Sequence, residues 1–473
     1  MTKGAVALVL HAHLPYVRSA QPGSLEEDWF FQALIECYLP LLETLELASA
    51  DPHQQPKLTI GLSPTLLSLL SDQDLKQRFP AWLNERLDLL PKADPSLRAG
   101  AEHLAATIER HRRAWQSCDG DLIQRFAALQ RQGVVDLLTC GATHGYLPLL
   151  RHHPEAVRGQ LRTAVREHQR LVGERPLGIW LPECAYYEGL DRWMRDAGLR
   201  YAVLDGHGLL HGRPRPRYGV YAPICSRNGV AFFGRDSDAT LPVWSAKDGY
   251  PGDPHYREFH RDLGWDLPIE ELKPLGLDQP RPLGLKLHRV TDHSAPLDRK
   301  RPYEPGVAAE RVKEHAADYL QGRRRQLDQL GAAMDVSPLL VAPFDAELFG
   351  HWWFEGPAFL SQLFQQAPQE GVSFTRLRDV LNNVGQLQLC DPCPSSWGQG
   401  GYHDYWLNDS NAWIIPEWEK ASAAMVQRCS RGVGSEQAMQ WLQQAARELL
   451  LAQSSDWSFI LRAGTTTELA KER

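Results

Sequence analysis

Two carboxylates stand at the ends of apolar runs, where catalytic acids are often found. Glu183 follows the run in "LGIWLPEC" and Asp345 follows the run in "PLLVAPFDAE". Cleavage of a glycosidic bond needs two such groups, one that attacks or supports the anomeric carbon and one that protonates the leaving oxygen. Either acid alone could instead cap a following helix. Because both acids are surrounded by Trp and Tyr residues, the pair favours the catalytic interpretation.

Three histidines are predicted to lie on the rim of the same cleft. His11 and His13 in "HAHLP" follow the first apolar run, and His144 follows another in "CGATHGYLPLL". We predict that these side chains form hydrogen bonds with substrate hydroxyls. For His144 taken alone, a core histidine bonded to the backbone is the alternative.

A metal-dependent barrel hydrolase is a second hypothesis for the same residues. An HxH pair on the first strand of a barrel can supply two ligands to a metal ion. In that case Glu183, Asp345 and His207 in "LDGHG" would complete the metal site.

The segment "DAELFGHWWFEGP" is expected to support Asp345 rather than to react. Its further acidic and histidine side chains are Glu347, His351 and Glu355. Trp352 and Trp353 are adjacent, so both cannot face the same way on a helix. One of the two is therefore predicted to be in the core.

The elements that must position these residues are short strands alternating with helices. Apolar runs span residues 7–13, 57–64, 134–144, 177–183, 201–208, 284–292 and 338–347. Runs that stay apolar suit strands buried on both faces of a parallel sheet. Helical patterns between them predict an α/β barrel or a doubly wound sheet. In such barrels catalytic groups gather at the C-terminal ends of the strands, where the polar clusters lie.

Two regions interrupt this alternation. Residues 72–133 predict a helical insertion that forms a wall of the cleft. We predict a catalytic domain at 1–390 and a second part at 391–473, which begins with a Trp-rich segment and continues as amphipathic helices. Glycines in that segment would let aromatic rings cover the cleft, although packing between the two domains is an equally natural role for the rings.

Composition excludes several classes of partner. The net charge of −7 argues against a nucleic-acid partner. The apolar run from Ala5 to Leu10 is too short for a signal peptide, and no stretch reaches a membrane-spanning length, so no membrane partner is expected. The eight cysteines are scattered, and the one close pair, in "CDPC" at 390–393, does not by itself favour a structural zinc site, so they predict reduced thiols in the cytoplasm. No signal for an oligomeric state is present.

Five motifs between residues 11 and 413 resemble those of glycoside hydrolase family 57. They are "HAHLP", "GATHGYLP", "GIWLPECAY", "APFDAELFGHWWFEGP" and the Trp-rich segment at 397–413. Within that family, the helical C-terminal region and "QSSDWSFILRAGT" resemble the 1,4-α-glucan branching enzymes more than the amylases or 4-α-glucanotransferases. The resemblance implies an incomplete seven-stranded (β/α) barrel with a helical insertion and a C-terminal helical domain.

The resemblance also implies roles for individual residues. Glu183 would be the nucleophile of a retaining reaction and Asp345 its general acid/base, with no cofactor and no metal. The substrate-binding positions of the family correspond to Arg261, Gly284, Trp397, Trp406 and Asp456, and Thr465 stands where a Gln is expected.

The expected activity is therefore branching of an α-glucan such as amylose or glycogen. The enzyme would cleave an α-1,4 link, hold the chain on Glu183 and transfer it to a 6-hydroxyl. Carboxyls roughly 5–5.5 Å apart suit this double displacement. Asp345 must be protonated in the first step, so we expect burial to raise its pKa. A hydrolysing or α-1,4-transferring enzyme of the same family is the near alternative, and a carbohydrate-binding protein without catalysis is a third.

Overall fold

The computed structural model describes residues 4–19, 23–245, 247–432 and 434–473. In these ranges the chain forms nine strands, namely β1 Ala5–Ala12, β2 Leu58–Leu62, β3 Val135–Leu138, β4 Gly178–Ile179, β5 Tyr201–Leu204, β6 Ile224–Cys225, β7 Ala231–Gly234, β8 Leu339–Asp345 and β9 Gln388–Leu389. Strands β1, β2 and β8 are almost completely buried. The continuous apolar runs therefore form strands covered on both faces.

The helices lie between and after these strands. They are α1 Leu25–Ala33, α2 Leu39–Ala50, α3 Pro64–Ser71, α4 Gln73–Leu89, α5 Arg98–Gln116, α6 Leu122–Arg131, α7 Pro154–Val172, α8 Leu190–Asp196, α9 Gly206–Leu210, α10 Ser237–Trp244, α11 Leu263–Asp266, α12 Ile269–Leu272, α13 Pro305–Ala333, α14 Gly356–Glu370, α15 Leu377–Asn383, α16 Ile414–Ser430, α17 Glu436–Ala452, α18 Ser455–Ala463 and α19 Thr467–Glu472. Within the described ranges, none of them is both long and apolar enough to cross a membrane.

The first sheet is parallel and has the strand order β3-β2-β1-β8. Its register pairs His11 of β1 with Asp345 of β8 and with Gly61 of β2. A Cβ on Gly61 would come within 3.0 Å of the His11 ring, so the missing side chain leaves room for this imidazole. Parallel pairing thus brings His11 and Asp345 to the same edge of the sheet.

The second sheet has the order β4-β5-β7-β6-β9, and β4, β5 and β7 are parallel. Next to β3, a parallel bridge joins Thr139 to Ile179 of β4. Beyond β7, the backbone N–H of Asp236 donates to the carbonyl of Val341 in β8 at 2.8 Å. The fold is α/β, both edges of the first sheet contact the second sheet, and the predicted strand and helix alternation is confirmed.

One predicted strand is absent from the structure, and one observed strand has no counterpart among the predicted strands. The run at 284–292 forms no strand, because its backbone pairs with a loop: Leu263 N–H donates to Leu285 and Glu258 N–H donates to His288, each at 2.8 Å. Its leucines are nevertheless buried, which explains the apolar pattern. Conversely, β7 was not predicted, since its four residues "AFFG" are too few to give a periodic signal.

The predicted helical segments are helical. Residues 72–133 contain α4, α5 and α6, and Asp72 caps α4 by accepting a hydrogen bond from Leu75 N–H. Helix α5 buries one face, which includes Leu104, Ile108 and Trp115. The region after Trp413 forms helices α16 to α19.

Candidate active site

A cavity of about 350 Å³ opens beside the C-terminal ends of β1 and β8. Histidine, carboxyl and aromatic side chains line it: His11, His13, Trp29, His144, Glu183, Asp345, Glu347, His351, Trp352, Trp397, Asp456 and Phe459. This edge of a parallel sheet is where α/β barrels collect catalytic groups. The structure therefore brings seven of the predicted site residues into one cleft: His11, His13, His144, Glu183, Asp345, Trp397 and Asp456.

Glu183 lies in a strained turn immediately after β4. The 3₁₀ turn spans Pro182–Cys184, and Glu183 has φ 60° and ψ 27°. Cys184 and His144 also have positive φ angles, of 48° and 56°. A non-glycine residue in such a conformation costs on the order of 1–3 kcal/mol and persists only where its surroundings fix it. Three strained residues in two neighbouring loops indicate that the cleft walls are tightly constrained.

Two hydrogen bonds hold the Glu183 carboxylate in the cleft. Trp397 Nε1–H donates to Oε2 at 2.7 Å, and Ser455 Oγ–H donates to Oε1 at 3.0 Å. Burial raises the pKa of Glu183 to about 7, the negative charges of Asp345 and Asp456 act in the same direction, and the two donors oppose the rise. The side chain is therefore engaged in the cleft and does not cap a helix.

Asp345 ends β8 and precedes the 3₁₀ turn Ala346–Leu348. It stands at the cap position of that turn, but its side chain forms no capping hydrogen bond. Burial, followed by the charge of Glu347, raises the pKa of Asp345 to about 8, against the opposing charge of Arg235. This is the direction expected for a group that protonates a leaving oxygen near neutral pH.

The three predicted histidines are in contact: His13 stacks on His144, and His11 stacks on Trp180 and meets His144 at the ring edge. The rings of His13 and His144 are 3.9 Å apart with an interplanar angle of 11°, and His11 lies 4.7 Å from Trp180 at 5°. His11 Nε2 and His144 Nε2 share a hydrogen bond of 3.0 Å. Burial lowers the pKa of both His11 and His144 well below the usual value, and neighbouring imidazoles lower it further. These two rings are thus neutral hydrogen-bonding groups.

The side chain of Asp456, at the start of α18, contacts His13, which directly follows β1. Its carboxylate lies 3.1 Å from His13 Nε2, and Ser454 Oγ–H donates to it at 2.5 Å. Burial opposes ionisation, but the charge and hydrogen bond of His13 lower the pKa of Asp456 to about 2. The C-terminal region thereby contributes an ionised carboxylate to the cleft.

The ring geometry does not suit a metal ion. Ligand atoms of His11, Cys140 and His144, and those of His13, His144 and Asp456, lie within 4.8 Å of one another. His11 Nε2 and His144 Nε2 already share a hydrogen bond with each other, and the rings of His13 and His144 stack at 3.9 Å, so their in-plane lone pairs do not converge on one ion. His207, a predicted ligand in the metal hypothesis, instead contacts the Gly401 carbonyl at 2.9 Å and lies outside the cavity lining. The predicted metal set is therefore not brought together in full.

Four further predicted positions lie away from the cavity lining. Trp406 is 3% exposed and stacks on Tyr146 at 5.0 Å. Arg261 pairs with Asp266 at 3.1 Å and donates to the Leu297 carbonyl.

The other two are Gly284 and Thr465. Gly284 has φ +79°, and its N–H donates to Asp262 at 2.8 Å. Thr465 is exposed, just after α18. Substrate-binding roles for these four residues stay predictions.

Several residues of the cleft were missed in the sequence. Ser455 bonds both Glu183 and His144, at 3.0 and 2.6 Å, and its position beside Asp456 could have indicated it. Trp29 lies on α1, far from any predicted strand end, and carries no local signal. Of the two adjacent tryptophans, Trp352 lines the cavity and is 47% exposed, while Trp353 is in the core at 1%, which confirms that only one is buried.

Comparison with known proteins gives concordant matches. The model of glycosyl hydrolase family 57 matches residues 7–391, and that of the 1,4-alpha-glucan branching enzyme C-terminal region matches residues 417–473. A 1,4-alpha-glucan branching enzyme of Thermococcus kodakarensis is 32% identical over 505 residues, covering 100% of this chain and 72% of the relative.

Two solved structures extend the comparison. The alpha-amylase AmyC of Thermotoga maritima has a TM-score of 0.91 and 35% identity, covering 99% of this chain and 90% of that one. A GH57-type branching enzyme of Pyrococcus horikoshii has a TM-score of 0.90 and 32% identity, covering 99% and 87%. With the motifs at the strand ends and the carboxyl pair in the cleft, these matches show that the chain belongs to glycosyl hydrolase family 57.

Proposed function

We propose that this chain is a 1,4-α-glucan branching enzyme. It would cleave an α-1,4 link and transfer the released chain to a 6-hydroxyl, which forms α-1,6 branches in glycogen-like polymers. The observation that carries the proposal is the pair of half-buried carboxyls, Glu183 and Asp345, in one cleft walled by aromatic rings. The match of residues 417–473 to the branching enzyme C-terminal region supports it, because this region supplies Ser455 and Asp456 to the cleft.

The two carboxyls suit a double displacement. In the first step Asp345 gives its proton to the glycosidic oxygen while the Glu183 carboxylate attacks the anomeric carbon. Asp345 must then be protonated and Glu183 ionised; the donors Trp397 and Ser455 favour the Glu183 anion, whereas the charge of Glu347 favours the protonated form of Asp345. In the second step Asp345 accepts a proton from the acceptor 6-hydroxyl, whose oxygen displaces Glu183. The configuration at the anomeric carbon is retained.

The aromatic wall serves the transfer step. Trp29, Trp352 and Trp397 line the cavity and offer flat apolar surfaces that suit sugar faces. A glucan stacked there would occupy the space that water needs to reach the glycosyl-enzyme. The ratio of branching to hydrolysis then depends on how fully the acceptor chain fills the cleft.

Hydrolysis of α-1,4 links is the second candidate activity. It is favoured by the AmyC structure, which is described as an alpha-amylase and is as similar to this chain as the branching enzymes are. The same two carboxyls would act, with water in place of the 6-hydroxyl.

Proton NMR of amylose after incubation with the enzyme separates these activities. Branching predicts growth of the α-1,6 anomeric signal at the expense of the α-1,4 signal, with few new reducing ends. Hydrolysis predicts new reducing ends and no α-1,6 signal, which would contradict the proposal. Glu183→Gln is the control and should give neither change.

We also propose that the two sheets form an incomplete seven-stranded (β/α) barrel in the order β8-β1-β2-β3-β4-β5-β7. The Thr139–Ile179 bridge and the Asp236–Val341 hydrogen bond support this order, because they join the sheets at both edges. We place the catalytic domain at 1–390, and the Trp-rich segment with a C-terminal helical domain at 391–473.

A cytoplasmic location is part of the proposal. All eight cysteines are free thiols. Reduced cysteines are typical of proteins that work in the cytoplasm.

A further inference from the structure

Glu347 is a cleft carboxylate to which the double displacement assigns no role. It lies two residues after Asp345, in the 3₁₀ turn Ala346–Leu348, and it is 8% exposed. Its side chain lines the same cavity as Glu183 and Asp345. A buried carboxylate beside a catalytic acid influences where protons reside, because two like charges in a low-dielectric site repel each other.

The hydrogen bonds of Glu347 favour its ionised form. Tyr38 O–H donates to Oε1 at 2.5 Å, and the backbone N–H of His13 donates to the same oxygen at 3.1 Å. Tyr38 ends a π-helical turn, Leu34–Tyr38, between α1 and α2. Such turns occur frequently at functional sites. The His13 N–H can only donate, and Tyr38 O–H donates to the same oxygen, so both hydrogen bonds stabilise a negative charge on Glu347.

Asp345 has the opposite environment. Among the residues that the structure describes, none donates a hydrogen bond to its carboxyl. When two adjacent carboxyls share one proton, the proton resides on the group whose anion is less well stabilised. The asymmetry of donors therefore selects Asp345 as the protonated member.

We propose that Glu347 is a positioning residue for the reaction, which holds a negative charge beside Asp345 and so keeps the catalytic proton on the Asp345 carboxyl. The inference rests on the proposed function, in which Asp345 delivers that proton to the glycosidic oxygen. After the delivery, two anions stand side by side. The repulsion between them makes Asp345 a stronger base for the proton of the acceptor hydroxyl, and the proton count returns to its starting value.

The surrounding charges agree with this assignment. The titratable groups that face the pair are Cys37, Tyr38, His11, His13, Glu183 and Arg235. Arg235 lowers the pKa of Asp345. It also lies 3.4 Å from Asp205, and this ion pair weakens the effect of Arg235 on Asp345. Burial, opposed by the Tyr38 and His13 hydrogen bonds, raises the pKa of Glu347 to about 7, below the value of about 8 for Asp345.

The pH dependence of kcat/KM for amylose tests the inference. In Glu347→Gln the side-chain oxygen still accepts from Tyr38, but the negative charge is gone. Asp345 then loses its proton more readily, so the alkaline limb should move to lower pH by about one unit or more. Because Glu347 acts through Asp345 and not on the bound glucan, KM should change less than kcat.

Two further variants keep the test decisive. Tyr38→Phe removes one donor from Glu347 and keeps its carboxyl, so the alkaline limb should move in the same direction by a smaller amount. Glu355→Gln is the matched control, because Glu355 is equally buried and follows in the same segment, yet it bonds Tyr303 and Arg257 at 2.7 and 3.0 Å. Its alkaline limb should coincide with that of the unmodified enzyme.

An unmoved alkaline limb in Glu347→Gln, with kcat reduced equally at every pH, would overturn the inference and leave Glu347 a purely structural role. If Glu347→Gln does not fold, an unmoved limb in Tyr38→Phe overturns it instead. The alkaline limb of the pH profile is measured both from branch formation and from release of reducing ends, because both reactions depend on the same proton transfer. An enzyme that forms no α-1,6 links would contradict the proposed function while the limb still tests Glu347.

Discussion

The two walls of the cleft shift the pKa values of their carboxyls in opposite directions. On the β8 wall, burial raises the pKa of Asp345 to about 8 and that of Glu347 to about 7. On the wall formed by α18, Asp456 has a pKa of about 2. Burial by itself acts to raise the pKa of all three carboxyls, including that of Asp456. Desolvation alone therefore cannot account for the difference between the walls.

The partners of each carboxyl account for it. Asp456 contacts His13 Nε2 at 3.1 Å and accepts from Ser454, so its anion is compensated on both sides. Asp345 faces another carboxyl instead, and the charge of Glu347 adds to the effect of burial. The comparison teaches that one wall is arranged to store a proton and the other to hold a fixed negative charge.

The largest effect is expected from Glu183→Gln, which removes the group between the two walls. Without a nucleophile neither branching nor hydrolysis can form the glycosyl-enzyme, so activity should fall on the order of 10⁴-fold or more. Binding of glucan should be largely unchanged, because the amide fills the same space. Rates on amylose measure the activity, and affinity electrophoresis measures glucan binding. A fully active Glu183→Gln variant would contradict the role of Glu183 as nucleophile.

Asp345→Asn tests the proton-storing wall directly. Loss of a general acid is expected to lower kcat by about 10²–10⁴-fold on amylose. On an aryl maltooligosaccharide whose leaving group needs no protonation, the first step should be slowed much less, so the glycosyl-enzyme should accumulate. Mass spectrometry of the intact protein detects that intermediate, and equal loss on both substrates would contradict the role.

Asp456→Asn tests the wall that holds a fixed charge. The amide keeps an acceptor oxygen but loses the negative charge that strengthens the hydrogen bond to His13, a difference of about 1–2 kcal/mol, so kcat/KM should fall roughly 5–30-fold. Asp409→Asn, an exposed position in the Trp-rich segment, serves as the control and should behave like the unmodified enzyme. A variant with unchanged kcat/KM would show that the charge of Asp456 does not act in the cleft.

Stability should depend on pH with opposite signs for the two walls. The folded-state pKa of Asp345 lies above its unfolded value, so the contribution of this group is present in acid and is lost as pH rises from about 4 to 8. Asp345→Asn should therefore raise Tm relative to the unmodified enzyme at pH 8, by about 2 °C or more, and change it less at pH 5.

Asp456 should show the reverse. Its folded-state pKa is lowered, so its contribution is present above about pH 4 and is lost as pH falls toward 2. Asp456→Asn should lower Tm at pH 7, and the difference should shrink in acid. Thermal unfolding at several pH values measures both variants, and the same sign of change for both would refute the contrast between the walls.

The smallest effect is expected from chelation. The parallel planes of the stacked imidazoles oppose convergence of their lone pairs on one ion, so activity after dialysis against EDTA should equal the starting activity. Elemental analysis provides the companion measurement. Stoichiometric zinc that is lost together with activity would support the metal-dependent hypothesis instead.

The strand ends were the part of the site most open to prediction. Glu183, Asp345 and the histidines were found because apolar runs followed by polar residues predict parallel strands that share one edge. The run at 284–292 gave the same pattern and was wrong, since its buried leucines pack beside a loop. An apolar pattern reports burial, and it does not report which backbone will be the hydrogen-bonding partner.

Distant contributions to the cleft were not open to prediction. Tyr38 and Glu347 are 309 positions apart, and Ser455 bonds Glu183 across 272 positions. The local spacing of residues in the sequence gives no signal for such distant pairs. The family resemblance recovered Trp397 and Asp456, which line the cavity, but it also pointed to Arg261 and Gly284, which lie outside its lining.

By itself the sequence determined the strand and helix alternation, the family and the two carboxyls that suit glycosidic chemistry. Only the tertiary structure decided the protonation of those carboxyls. A side chain's type fixes its ordinary pKa, whereas desolvation, donors and neighbouring charges come from segments that meet only after folding. For this reason three carboxyls of similar chemistry differ in the folded protein: Asp345 stores a proton, whereas the anions of Glu347 and Asp456 are stabilised by hydrogen-bond donors.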